Sequence, residues 1–131
     1  MQDNFAIYPS LKNMTVFVTG GASGIGEQIV RAFVSQGSKV GFIDFDKEAS
    51  ENLTDNLKGA VSFELCDLTN TDNLKQTFYS LKKKIGKPGV LVNNAARDDR
   101  HNWGEVTPDY FDQRIATNLK HQFFAIQAVA P

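Results

Sequence analysis

The chain has 131 residues, 41% of them hydrophobic and 22% charged, with a net charge of −1 at neutral pH. That length suits a single domain with a real core, and that balance leaves no electrostatic footprint for nucleic acid or an anionic membrane. One cysteine, Cys66, rules out an intrachain disulfide and fits a reducing compartment, so a cytoplasmic location is expected.

Residues 1–13 mix Gln, Asp, Asn and Lys with a few apolar residues, and neither they nor later residues form an apolar run long enough for a leader or a membrane span. Met14-Thr15-Val16-Phe17-Val18 is β-branched and apolar, the pattern of a strand buried on both faces, and predicts a strand over 14–19. Ile25, Ile29, Val30, Phe33 and Val34 then recur at helical spacing, and Gly37 stands where a helix stops, which predicts a helix over 24–36.

Between them lies Thr19-Gly20-Gly21-Ala22-Ser23-Gly24-Ile25-Gly26. Gly20 lets the chain reverse, Gly24 lets backbone amides approach an anion, and Gly26 lets the helix lie close to the strand. The bare amides and positive dipole end of that helix suit a diphosphate. Glycines alone do not separate this from a ligand-free turn.

The next strand adds to the case. Val40-Gly41-Phe42-Ile43 closes a strand predicted over 39–44 and ends in Asp44, 18 residues after Gly26, near the ~20-residue spacing of an acid that holds an adenosine ribose. A carboxylate there accepts from the 2′- and 3′-hydroxyls and repels a 2′-phosphate. Neither Ser23 nor Phe45 is a base able to hold that phosphate, so the expected cofactor is NAD, with NADP disfavoured by Asp44.

Further on, a helix is predicted over 47–57, a strand over 60–65, a helix over 71–84, a strand over 88–92 and a helix over 108–130. The alternation argues for a parallel α/β sheet in the order 3-2-1-4 with helices on both faces, and for a ligand crevice where that order reverses. Asp67 ends the third strand, where position alone leaves a ligand role and a helix cap equally open. Cys66 reads as a small buried hydrophobe, and Lys82-Lys83-Lys84 as a solvated last turn that suits the helix dipole. His101 and His121, the only histidines, lack ligand spacing, so no metal site is expected.

Thr107-Pro108-Asp109 is a cap, a first-turn proline and an acid, which together start the last helix. That helix carries Phe111, Ile115, Leu119, Ile126 and Val129 along one side, with Phe123, Phe124 and three alanines around it. The arc is too wide for one buried face, which implies a further partner.

The run TGGASGIG, Asp44, Asp67-Leu68 and Asn93-Asn94-Ala95-Ala96, in this order, resembles the amino-terminal half of a short-chain dehydrogenase/reductase, from about residue 11 to 131. The stretches 93–101 and 118–124 look most like members that oxidise sugars at the anomeric carbon.

The resemblance implies a single dinucleotide-binding (Rossmann-like) domain over 1–131, an incomplete version of the family fold. Its cofactor residues would be Gly20, Ser23, Gly24, Ile25, Gly26, Asp44 and Phe45, with Asp67 and Leu68 at the adenine and Asn94 and Ala95 at the nicotinamide ribose. Ala96 stands where the family usually has Gly. Asn118 would be the Asn of a proton relay, although a polar residue satisfying buried backbone is an equal reading. In the sugar-oxidising members the loop 97–107 borders the substrate mouth.

The family's catalytic Ser, Tyr and Lys come later than Pro131. Tyr79 and Lys83 share the Tyr-x-x-x-Lys spacing but precede Asn93-Asn94, and read as a surface coincidence. The expectation is therefore an NAD(H)-binding protein without stand-alone dehydrogenase activity. The alternative is a sugar or alcohol oxidoreductase whose missing groups come from an oligomer or a second chain. Because the fourth strand would be an open edge, a dimer or tetramer through that edge or the last helix is also expected.

Overall fold

The structure is a computed structural model and describes residues 6–130. The expectations for residues 1–5 and 131 lie outside that range.

Four parallel strands form the sheet: β1 (Thr15–Thr19), β2 (Lys39–Asp44), β3 (Val61–Leu65) and β4 (Val90–Val92), in the order β3-β2-β1-β4. The register pairs Val18 with Phe42 on one side and with Val92 on the other, so β1 is an interior strand, beside β2. Every residue of β1 is buried, as its unbroken apolar run requires.

Successive β1 side chains serve opposite layers. Val16 and Val18 join Val30, Val40, Phe42 and Leu53 under helices α1 (Gly24–Ser35) and α2 (Lys47–Asn56). Phe17 joins Ile43, Leu74, Phe78, Leu81, Ala125 and Val129 under α3 (Thr71–Ile85) and α5 (His121–Val129), and its ring stacks on Phe78 at 5.8 Å. A helix layer thus covers each face. Asn70 caps α3 by accepting from Asn73 N–H at 3.0 Å, and Asp46 caps α2 from Ala49 N–H at 2.9 Å.

The last helix differs from expectation. The run over 108–130 is α4 (Pro108–Ile115), a π turn (Ala116–Lys120) and α5. The wider turn shifts the helical phase, and the stripe facing the sheet becomes His121, Ala125 and Val129, all buried. The expected stripe therefore divides: Val129 faces the core, whereas Phe111, Ile115, Leu119 and Ile126 are exposed, with Phe123 beside them. Small Ala125 lets α5 approach α3, and the bulky side chains are left outside.

The lysine run is the expected solvated last turn at Lys83 and Lys84, which are exposed, while Lys82 is half-buried. Lys84 pairs with Glu64 at 2.6 Å and Lys82 Nζ donates to the Ala128 carbonyl at 2.5 Å near the end of α5. Burial raises the Glu64 pKa, but the hydrogen bonds from Lys84 and Ser80 and the Lys84 charge outweigh it and hold the carboxyl below its ordinary value. Lys83 Nζ lies 4.6 Å from the centroid of the exposed Tyr79 ring, a surface cation–π contact.

Candidate functional site

The crevice expected where the sheet order reverses falls between the segment after β1 and the segment after β4. At its base a hydroxyl and a carboxamide tie the two strands together. Fully buried Thr19 Oγ1 accepts from both Asn94 N–H and Ala95 N–H at 3.0 Å. Asn94 Nδ2 donates back to the carbonyls of Thr19 and Gly20 at 3.1 and 3.0 Å. Sequence reading missed Thr19, because a threonine ending a β-branched run looks like strand propensity alone.

The glycine-rich segment is held from the β2 side. Gly20 N–H donates to Ile43 O at 2.8 Å, and Ala22 N–H donates to Asp44 Oδ2 at 3.0 Å. The first amide inside the α1 ladder is that of Glu27, bonded to Ser23 O at 3.1 Å. The amides of 24–26 therefore stand at the bare end of the helix. Ser23 caps this end in extended conformation without a side-chain cap bond, which leaves its hydroxyl free to face a ligand.

Two glycines show what space the turn needs. At Gly26 an added Cβ would lie 1.8 Å from Gly20 O and 2.6 Å from Asn94 Nδ2, so only glycine lets α1 pass this close. At Gly24, with φ +57°, an added Cβ would meet nothing within 4 Å. There the absent side chain leaves open room beside bare amides. Bare donors, a free hydroxyl and open space together fit the diphosphate of a dinucleotide.

Asp44 lies at the rim, only 7% exposed, and its Oδ1 accepts from Asp46 N–H at 3.0 Å. A carboxylate has about four acceptor positions, so two remain beyond the two amides it holds. Phe45 and Ile25 expose their apolar side chains at 84% and 76%. Cys66 N–H donates to Asp44 O at 2.9 Å, which brings the next segment to the same rim. There exposed Asp67 accepts from Thr69 N–H and hydroxyl at 3.0 and 2.6 Å, with Leu68 half-buried beside it. The cap role falls to Asn70 and not to Asp67. Buried Cys66 has its thiol pKa raised by desolvation, as an inert thiol should.

Asn118 stands in the π turn, and its side-chain hydrogen bonds go to Arg97 and not to the glycine segment. Its Oδ1 accepts from Arg97 N–H at 2.7 Å and its Nδ2 donates to Arg97 O at 3.1 Å, so both ends of the carboxamide hold the chain just past Ala96. Arg114 reinforces that latch: it pairs with Asp99 at 3.0 Å, and Asp99 in turn pairs with Arg97 at 2.8 Å. This loop network was not legible from spacing. Tyr110 hydroxyl and His101 Nδ1 lie 3.1 Å apart beside it. Among the described residues, no group of three or more His, Cys, Asp or Glu could hold a metal ion.

A sequence profile described as short chain dehydrogenase matches residues 14–131. The chain is 46% identical over 129 residues to a D-xylose 1-dehydrogenase of Caulobacter vibrioides, covering 96% of this chain and 50% of that protein. It is 41% identical over 128 residues to a probable galactose dehydrogenase, GalD, of Rhizobium meliloti, covering 95% and 50%.

Among solved structures, gox2181 superposes with a TM-score of 0.86 at 27% identity, covering 91% of this chain and 48% of that one. A blue fluorescent protein from a metagenomic library, in complex with NADPH, gives 0.85 at 29%, covering 92% and 51%. The chain thus spans about half the length of the relatives it matches. With the profile spanning nearly all of its sequence, the chain belongs to the short-chain dehydrogenase family.

Proposed function

We propose that the crevice binds NAD(H) and that this chain by itself is a nucleotide-binding module without independent dehydrogenase turnover. The observation that carries the proposal is Asp44, a buried-rim carboxylate beside the glycine segment with acceptor capacity to spare. The amides of 24–26 and the Ser23 hydroxyl hold the diphosphate. Asp44 accepts from the adenosine ribose hydroxyls and repels a 2′-phosphate. Ile25, Phe45 and Leu68 offer apolar cover to the adenine end beside Asp67, and Asn94 with Ala95 borders the nicotinamide end. When bound, the nicotinamide supplies a hydride acceptor.

Titration of NADH fluorescence tests this reading, with saturable binding expected and weaker binding of NADPH. Asp44→Ala should cost ~1–3 kcal/mol in NADH binding, as for the loss of charge-assisted hydrogen bonds. No binding of either dinucleotide would leave an assembly protein with a vestigial pocket.

A second reading, favoured by the 46% identity to a D-xylose 1-dehydrogenase, is an NAD-dependent sugar oxidoreductase whose acid/base groups come from a further segment or chain. Reduction of NAD with D-xylose or D-galactose supports it, and binding without turnover supports the first reading.

We also infer a homo-oligomer. Among the described residues β4 pairs only with β1. A groove of about 400 Å³ runs along it, lined by Val90, Leu91, Asn93, Ile126 and Val129, and Asn93 Oδ1 is buried there without a partner. Light scattering after size exclusion at low micromolar concentration should find a dimer or tetramer, and a monodisperse monomer refutes it. Net charge gives no attraction to nucleic acid, and among the described residues no helix is long and apolar enough to cross a membrane. The single buried thiol suits a reducing, cytoplasmic setting.

A further inference from the structure

The glycine segment has more anchors than its own glycines provide. Its first amides are all engaged by the end of β2: Gly20 and Gly21 N–H by the Ile43 carbonyl at 2.8 and 3.4 Å, and Ala22 N–H by the Asp44 carboxylate at 3.0 Å. The Asp44–Ala22 bond is buried, and it is the last tie before the chain passes into Ser23 and the bare amides of 24–26. The other carboxylate oxygen is fixed by Asp46 N–H at 3.0 Å, at the start of α2, so Asp44 is itself held from behind. A charge-assisted bond from a buried amide is stronger than a neutral one, and leaving that amide unpaired is costly.

We propose that Asp44 is a positioning residue for the diphosphate as well as an acceptor for the ribose: by holding Ala22 N–H it sets where the Ser23–Gly26 amides point. This inference rests on the NAD(H) reading of the crevice. It changes what a substitution at 44 does. If Asp44 acted only by charge and ribose contact, its removal would ease the approach of every anion and weaken only ligands that carry ribose hydroxyls. If it also positions the turn, its removal weakens a diphosphate that has no ribose hydroxyls at all. Exchanging cofactor preference by a single neutral substitution at 44 is then self-defeating, because the change that removes the repulsion also loosens the cradle.

The two consequences have opposite signs for one ligand, 2′,3′-dideoxyadenosine diphosphate, which has the diphosphate and adenine but offers Asp44 no hydroxyl. Binding of this nucleotide and of NADH is measured for the wild type, Asp44→Ala and Asp44→Asn, together with amide hydrogen exchange at Ala22 by NMR. The expected result is a loss of about tenfold in dideoxynucleotide affinity for Asp44→Ala, the equivalent of one such hydrogen bond, with Ala22 exchange accelerated at least as much. Asp44→Asn has the same charge as Asp44→Ala but keeps one acceptor oxygen, so it recovers part of both losses.

Dideoxynucleotide affinity that is unchanged or raised in Asp44→Ala overturns the proposal, and so does Ala22 exchange that stays at the wild-type rate. Circular dichroism of each variant separates a displaced turn from a chain that fails to fold, and Asp44→Asn carries the test if Asp44→Ala does not fold. Should the wild type bind neither nucleotide, the cofactor reading fails by itself, while Ala22 exchange still decides whether Asp44 holds the turn.

Discussion

Single atoms decide most of this crevice. Thr19 satisfies two amides at once, so Thr19→Val, which fits the strand but removes the hydroxyl, leaves Asn94 and Ala95 N–H unpaired. The expected loss is about 1–3 kcal/mol per orphaned amide, read by urea denaturation, whereas Thr19→Ser keeps the acceptor and loses little. Gly26→Ala drives a Cβ into Gly20 O and should cost about 1–3 kcal/mol through overpacking.

His121 makes the opposite case. It is buried on the sheet-facing side of α5 with neither ring nitrogen paired, and burial holds its pKa below the ordinary 6.5. The unfolded chain therefore binds the proton more readily. The stability associated with neutral His121 is present above about pH 6.5 and is lost as pH falls toward the lower folded pKa. Thermal or urea midpoints should drop on acidification from pH 7.5 to 5.5. His121→Leu should flatten that slope and leave stability at pH 7.5 equal or higher, since it removes two unpaired polar atoms; an unaltered slope would exclude His121 as its source.

At the scale of elements, periodicity carried most of the fold. The apolar runs around Val16–Val18 and Val40–Ile43 and the helical spacing of Ile29, Val30 and Phe33 located β1, β2 and α1 within a residue or two. The order β3-β2-β1-β4 followed from the alternation and the handedness of crossovers. What stayed illegible was the π turn at Ala116–Lys120, because the apolar arc over 108–130 is broad enough to suit an unbroken helix as well as one whose phase shifts midway. That turn decides which side of α5 meets the sheet and aims Asn118 at the backbone of Arg97. In the crevice the glycines and the acid were legible from spacing, but Asp44's hold on Ala22 and Thr19's hold on Asn94 and Ala95 were not, since those donors lie 22, 75 and 76 residues away in sequence. Asn118→Ala should release the segment after Ala96, and faster amide exchange at Arg97 is the readout.

For the molecule as a whole, a notable surface feature is the outer side of α4, the π turn and α5, where Phe111, Leu119, Phe123 and Ile126 are each more than half exposed. Apolar patches of this kind mark contact surfaces. A Phe111→Asp, Phe123→Asp double variant should shift the proposed oligomer toward monomer without losing helical content; if it leaves the mass distribution unchanged, the contact surface lies elsewhere, with the β4 edge next in line.

The cofactor reading depends on the crevice between β1 and β4 receiving a dinucleotide in one orientation. A crystal structure obtained with saturating NAD tests this most directly. The diphosphate is expected against the amides of 24–26 and the Ser23 hydroxyl, with the adenosine ribose hydroxyls on Asp44. A crevice without nucleotide at saturation, or a nucleotide bound with its diphosphate away from that turn, would contradict it.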